Sequence, residues 1–197
     1  MCNKKIFVIL GKSNTGKSTI FKELMNLIKV NNDDIKLLKS CTTRPKREED
    51  NQDNEYEFVD KYCFTKEYHD NNILEYATYE TVYGHWFYFT RKSDLVHDKY
   101  IKIINPSGLS QIRESATKLG YDVVAFHITS HNDIRMKRAL SRNDGLSREE
   151  VERRFIEDEK DFKYIQSEYT VENNGDKTPR EVAEIIYRWI KHKQLAR

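Results

Sequence analysis

Apolar residues along this chain follow two periods that alternate. Lys4 to Leu10 (KKIFVIL) is a short, β-branched run, the pattern of a strand buried on both faces of a parallel sheet. Ile20, Phe21, Leu24, Leu27 and Ile28 then recur at three- and four-residue intervals, which predicts an amphipathic helix. Ile35 to Lys39, Tyr100 to Ile104 and Asp122 to Ile128 read as further strands, with a turn at Asn105-Pro106-Ser107-Gly108 and a helix over Ser110 to Leu119. From Asn132 the pattern is helical and basic, and Ser147 with Glu150 three residues later forms a capping box that opens another helix. Thr178, Pro179 and Glu181 announce a terminal helix whose buried stripe is Val182, Ile185, Ile186, Trp189 and Ile190, so Trp189 belongs to the core. Strands and helices in alternation predict an α/β fold, a parallel sheet wrapped by helices.

Length and composition narrow this picture. At 197 residues the chain is expected to form a single domain with a proper core. Its apolar runs are strand-sized and nothing resembles a signal peptide, so a cytoplasmic protein without membrane contact is expected. A net charge of +2 gives no overall pull toward nucleic acid. Cys2, Cys41 and Cys63 lie far apart and are odd in number, which argues against a disulfide framework. His127 and His131 straddle a strand end and would not share a face, so no metal site is predicted there.

The chemistry begins at Gly11 to Ser18. GKSNTGKS places Gly11, Gly16, Lys17 and Ser18 as a phosphate loop requires, between a strand and a helix. The backbone N–H groups of Ser13, Asn14, Thr15 and Thr19 and their neighbours would line a polyphosphate, and the helix would turn its positive N-terminus to the same anion. ATP is the expected ligand, with Lys17 on the β- and γ-phosphates and Ser18 as a Mg²⁺ ligand. Arg44 and Arg47 flank Pro45. They read either as a solvated basic turn or as a clamp on a second phosphate. Gly11, Ser40 and Asn105 follow strand ends and so belong to one rim of the sheet, where ligands lie in such folds.

GKSNTGKST followed by SCTTRPKREEDNQDNEYEFV resembles the guanylate kinase family. Ser40, Thr42, Thr43, Arg44, Arg47, Tyr56 and Phe58 fill its acceptor-site signature. Glu75 in Ile73-Leu74-Glu75-Tyr76-Ala77 is similar to the carboxylate that reads guanine, and Val82-Tyr83-Gly84 to the segment that closes on the acceptor phosphate. Taken without the resemblance, Glu75 reads as an exposed glutamate at a helix end. The two basic helices resemble a mobile lid carrying Arg138, Arg142 and Arg154, and Tyr169 to Asn174 resembles the last strand and the turn that sets Asn173 beside the donor base.

The resemblance implies a three-layer phosphate-loop fold with an inserted acceptor-binding subdomain at 40–95, a lid at 132–155, and a core at 1–39, 96–131 and 156–197. It implies phosphoryl transfer from ATP·Mg²⁺ to a nucleoside monophosphate, GMP or dGMP, by a monomer or homodimer. Three features depart from the family pattern. Ile103-Ile104-Asn105 stands where a pair of carboxylates is usual, His85-Trp86-Phe87 is a bulky aromatic insertion after Gly84, and the loop after Arg47 lacks a glycine. Three alternatives stay open: a ribose 1,5-bisphosphate kinase, a modified or unusual nucleotide as acceptor, and a non-catalytic binding module. Cys41, beside Ser40, would also leave the site open to oxidation.

Overall fold

A computed structural model of the chain describes residues 4–46, 56–81, 84–141 and 147–195. Strand β1 (Lys5–Leu10) is buried along its whole length. Ile6, Val8 and Leu10 face one core, and Phe7 and Ile9 face another. Strict alternation into two apolar cores is what a central parallel strand needs. β1 is flanked by β7 (Lys99–Ile103) and β8 (Asp122–Thr129), with β2 (Lys36–Leu37) beyond β7 and β9 (Tyr169–Glu172) beyond β8; every pairing is parallel.

Helices α1 (Lys17–Val30) and α6 (Pro179–Leu195) cover one face of this sheet, and α3 (Pro106–Lys118) covers the other. Three layers result. The Trp189 ring stacks on Tyr169 at 4.8 Å and on Phe126 at 6.3 Å, in the core where its place in the stripe predicts it. Thr178 and Glu181 cap α6 reciprocally, each backbone N–H donating to the other's side-chain oxygen.

A second sheet is inserted between β2 and β7. Its order is β4-β3-β6-β5, formed by β3 (Ser40–Thr42), β4 (Tyr56–Phe58), β5 (Ile73–Thr81) and β6 (Gly84–Arg91). His85-Trp86-Phe87, the aromatic run after Gly84, lies in the first half of β6. Phe87 and Phe89 turn to a small apolar cluster, while exposed His85 faces Glu80 across the hairpin at 3.6 Å. Glu75 lies on β5 and is buried, which overturns its reading as an exposed helix-end residue. α2 (Lys61–His69) closes the cluster with Phe64, whose ring stacks on Phe87 at 4.0 Å.

Asn105 to Gly108 is likewise not a free turn. Asn105 is the N-cap of α3, its Oδ1 accepting the Gly108 N–H at 2.7 Å, and Pro106 takes the first helical position, where its missing N–H costs nothing. Two helices follow β8, the basic α4 (Asn132–Ser141) and α5 (Arg148–Asp161), whose seven carboxylates outnumber its four basic residues, so the expected pair of basic helices is basic in its first member alone. Ser147 caps α5 by accepting the Glu150 N–H at 3.3 Å, while the Glu150 carboxylate turns to Arg153 and Arg154.

Phe64 is the buried side chain through which α2 is anchored to the second sheet. Phe64→Ala is expected to lower the unfolding free energy by about 3 kcal/mol. Urea denaturation reads this, and an unchanged midpoint would show that the packing of α2 contributes nothing to stability.

Candidate nucleotide-binding site

The phosphate loop leaves β1 and enters α1 by a path that side chains would obstruct. A Cβ on Gly11 would lie 2.3 Å from the carbonyl oxygen of Ile128, a backbone atom that cannot move aside. Gly16 has φ +89° and a Cβ there would meet Asn173 Nδ2 at 2.6 Å. Between them Asn14 takes φ 60°, a left-handed conformation that asparagine tolerates. Thr15 is buried and its hydroxyl donates to the Lys12 carbonyl at 2.9 Å. Lys17 Nζ lies back across the loop and donates to the same carbonyl at 2.8 Å.

Partners from distant segments grip this loop. Asn173, just beyond β9, donates from Nδ2 to the Thr15 carbonyl at 2.8 Å. Asp158 on α5 accepts the Ser13 N–H at 2.8 Å and pairs with Arg135 of α4. Arg135 is completely buried; its Nε donates to the Ser13 carbonyl at 2.9 Å and its guanidinium lies over the Phe155 ring at 4.2 Å. The Ser13 residue is thus held at both N–H and C=O by one ion pair. Burial lowers the Arg135 pKa from its ordinary value, with Asp158 and Glu159 opposing that shift. Sequence reasoning missed this pair, because no local pattern joins an arginine in α4 to an aspartate in α5.

The loop floors a cleft of about 650 Å³, lined by Ser13, Asn14, Gly16, Lys17, Ser18 and Thr19 together with Arg138, Arg154 and Asn173. Residues singled out in three separate stretches therefore converge on one cavity. Lys177, which the sequence did not flag, also lines it. Arg138 reaches over the loop with long bonds of 3.4 Å to the Thr15 carbonyl and to Asn173 Oδ1. Arg154 is paired with Glu150 at 2.8 Å, and Arg153 and Arg154 together hold the Glu150 carboxyl down at about 2. His127 stacks on Phe162 at 5.3 Å; burial, then Lys12 and Lys17, lowers its pKa.

A narrow second cavity opens between the sheets, lined by Phe21, Leu37, Ser40, Tyr56, Lys102 and Ile103. Arg44 is buried near it, with its guanidinium 5.5 Å from the Tyr56 ring and 5.2 Å from Phe58. Glu75 Oε1 accepts from Lys102 Nζ at 2.7 Å and from the Thr90 hydroxyl at 2.6 Å. Asn105 uses Oδ1 for its cap and offers Nδ2 to the Tyr79 hydroxyl at 3.2 Å. Arg47, Tyr83 and Arg142 lie outside the described residues. Cys41 is buried and desolvation pushes its thiol up to about 12, which closes the oxidation route expected for it.

No group of three or more His, Cys, Asp or Glu side chains among the described residues could hold a metal ion. Ser18, exposed at the first turn of α1, faces the cleft and fits a cation that brings most of its ligands as phosphate oxygens and water. No helix among the described residues is long and apolar enough to cross a membrane.

A parallel sheet with a phosphate loop at its rim, a small inserted sheet and a pair of helices that bring Arg138 and Arg154 to the cleft define a phosphate-loop nucleotide-binding fold. The family model for guanylate kinase matches residues 3–188, and the chain belongs to the guanylate kinase family. It is 29% identical over 200 aligned positions to the guanylate kinase of Helicobacter hepaticus, covering 100% of this chain and 96% of that protein. It is 36% identical over 115 positions to the guanylate kinase of Clostridium tetani, covering 56% of this chain and 51% of that protein. The crystal structure of guanylate kinase from Anaplasma phagocytophilum shares the fold, with a TM-score of 0.63 at 20% identity over 98% of this chain and 87% of that one.

Arg135→Met leaves Asp158 without its cation and Ser13 without one of its two anchors. A loss of about 3 kcal/mol is expected in denaturant unfolding, with part of it recovered in the double variant Arg135→Met/Asp158→Asn. A loss below about 0.5 kcal/mol, the range of ordinary surface substitutions, would show that the pair does not hold the loop.

Proposed function

We propose that this chain transfers the terminal phosphoryl group of ATP to a guanine nucleoside monophosphate, GMP or dGMP. The observation that carries the proposal is the convergence of the phosphate loop, Arg138, Arg154 and Asn173 on one cleft, beside a separate inserted sheet that bears Ser40, Tyr56 and Glu75, with Arg44 just beyond the end of β3. Donor and acceptor then approach from the two sides. Membership of the guanylate kinase family supports the same reading and does not favour the sugar-bisphosphate or non-catalytic alternatives.

In this reading the loop N–H groups, the start of α1 and Lys17 bind the donor phosphates, and Lys17 exchanges its bond to the Lys12 carbonyl for a phosphate oxygen. Ser18 is the side chain that would hold the Mg²⁺ accompanying ATP, which would supply charge neutralisation at the phosphates. Asn173 lies beside the donor base. Arg44 and Tyr56, with Arg47 and Tyr83, hold the acceptor phosphate. Arg138, Arg154 and Arg142 offset the charge that spreads over the transferring group. No general base is required, since the attacking oxygen belongs to a phosphate whose second pKa is about 6. The lid helices also exclude water, which would otherwise take the phosphoryl group.

The test is ADP production from ATP·Mg²⁺ with GMP, dGMP, AMP, UMP or ribose 1,5-bisphosphate as acceptor. GMP and dGMP are expected to stimulate turnover while AMP, UMP and the sugar do not. Arg138→Met is expected to lower kcat by about 10²-fold, the usual loss when one donor to a developing charge is removed. Stimulation by the sugar alone, or by no acceptor, would overturn the proposal.

A further inference from the structure

β5 is the terminal strand of the inserted sheet, in the order β4-β3-β6-β5. A terminal strand turns every second backbone N–H and C=O away from its sheet, and those groups need partners from elsewhere. At Tyr76 a side chain of α3 takes the place of a neighbouring strand. The Tyr76 N–H donates to Gln111 Oε1 at 3.1 Å, and Gln111 Nε2 donates to the Tyr76 carbonyl at 2.9 Å. A primary amide offers an acceptor and a donor side by side, as a backbone does, whereas a carboxylate of the same length lacks the donor. The second Nε2 proton points to Ser107 Oγ at 3.4 Å, one turn back along α3. Asn105, the cap of the same helix, adds a further tie through the Tyr79 hydroxyl at 3.2 Å.

These bonds join the two halves of the site. Leu109, Ile112 and Ala116 of α3 pack in one apolar cluster with Ile6, Val8 and Leu10 of β1, and β1 runs directly into Gly11 of the phosphate loop. Leu74 of β5 enters the same cluster. Apolar contact holds β5 against α3 but has no direction, so by itself it tolerates sliding of the strand along the helix. Hydrogen bonds to both the N–H and the C=O of one residue are directional and set where the strand stops. In-line phosphoryl transfer depends on that placement, because the reacting atoms must lie about 3–3.5 Å apart and a displacement of about 1 Å can cost about 10²-fold in rate. We propose that Gln111 is a positioning residue for phosphoryl transfer, which acts through the Tyr76 backbone to fix β5, and the acceptor side with it, at a set distance from the phosphate loop. The inference rests on the nucleotide-kinase reading above and adds to it the contact that sets its geometry.

The closing experiment measures kcat and KM for ATP and GMP in the full chain and in Gln111→Met, which keeps the length and helix propensity of the side chain and removes both bonds to Tyr76. Its kcat is expected to fall by about tenfold or more with KM for ATP unchanged. Amide hydrogen exchange over β5 is expected to quicken while exchange over β1 stays as in the wild type. Arg113→Met is the control. Arg113 lies on the same helix and donates to the Gln166 carbonyl at 3.1 Å and to Glu168 at 2.7 Å, so its loss removes bonds of α3 that do not reach β5. It is expected to leave kcat at the wild-type value. Gln111→Glu, which keeps the acceptor for the Tyr76 N–H and loses the donor to its carbonyl, carries the test if the methionine variant does not fold, with the same loss of kcat expected. A wild-type kcat in the Gln111 variant, an equal loss in Arg113→Met, or an effect confined to KM for ATP overturns the inference while leaving the kinase reading intact. Absence of ADP formation by the wild-type protein with any nucleoside monophosphate overturns both.

Discussion

The phosphate loop is wedged, and the rest of the molecule is arranged to keep it so. Its backbone passes too close to the Ile128 carbonyl and to the Asn173 amide for any side chain at Gly11 or Gly16. A loop that must turn its N–H groups toward an anion cannot satisfy them within itself, so its shape has to be imposed from outside. Asn173 does this at Thr15, and the buried Arg135–Asp158 pair does it at Ser13. These partners lie 122 to 158 residues away in sequence. The order of the parallel sheet brings them to the loop, since β8 neighbours β1 and leads directly into α4.

The same pair ties the loop to the helices above it. Arg135 comes from α4 and Asp158 from α5, so movement of either helix pulls on the Ser13 residue. Arg154 starts from an ion pair with Glu150, which a phosphate group would have to displace. That pair is exposed and cheap to exchange, whereas the Arg135–Asp158 pair is not. One helix thus carries both a fixed anchor and a cation free to change partners.

On the acceptor side the polar groups are committed inward. Asn105, where a carboxylate is usual in the family, spends its oxygen on capping α3. Lys102, Glu75, Thr90 and Ser40 form a network whose closure comes from burial: an unpaired ammonium or carboxylate at that depth would be costly, so each donor finds an acceptor.

The sequence by itself determined the features that local chemistry specifies. The GKSNTGKS loop, the strand–helix alternation, the stripe of α6 and its capping box need no information beyond a few neighbouring residues, because hydrogen-bond periodicity and backbone sterics act over that range. Asn105 as a helix cap was also legible, from an asparagine followed by proline at the first helical position, though the glycine that follows suggested a turn. Only the tertiary structure decided which charges are spent and which are available. Lys102 reads as an ordinary polar interruption of YIKII until the second sheet folds Glu75 and Thr90 against it, and Arg135 reads as one basic residue among several until α5 brings Asp158. Both are long-range electrostatic choices, fixed by burial and sheet order rather than by anything the chain expresses locally.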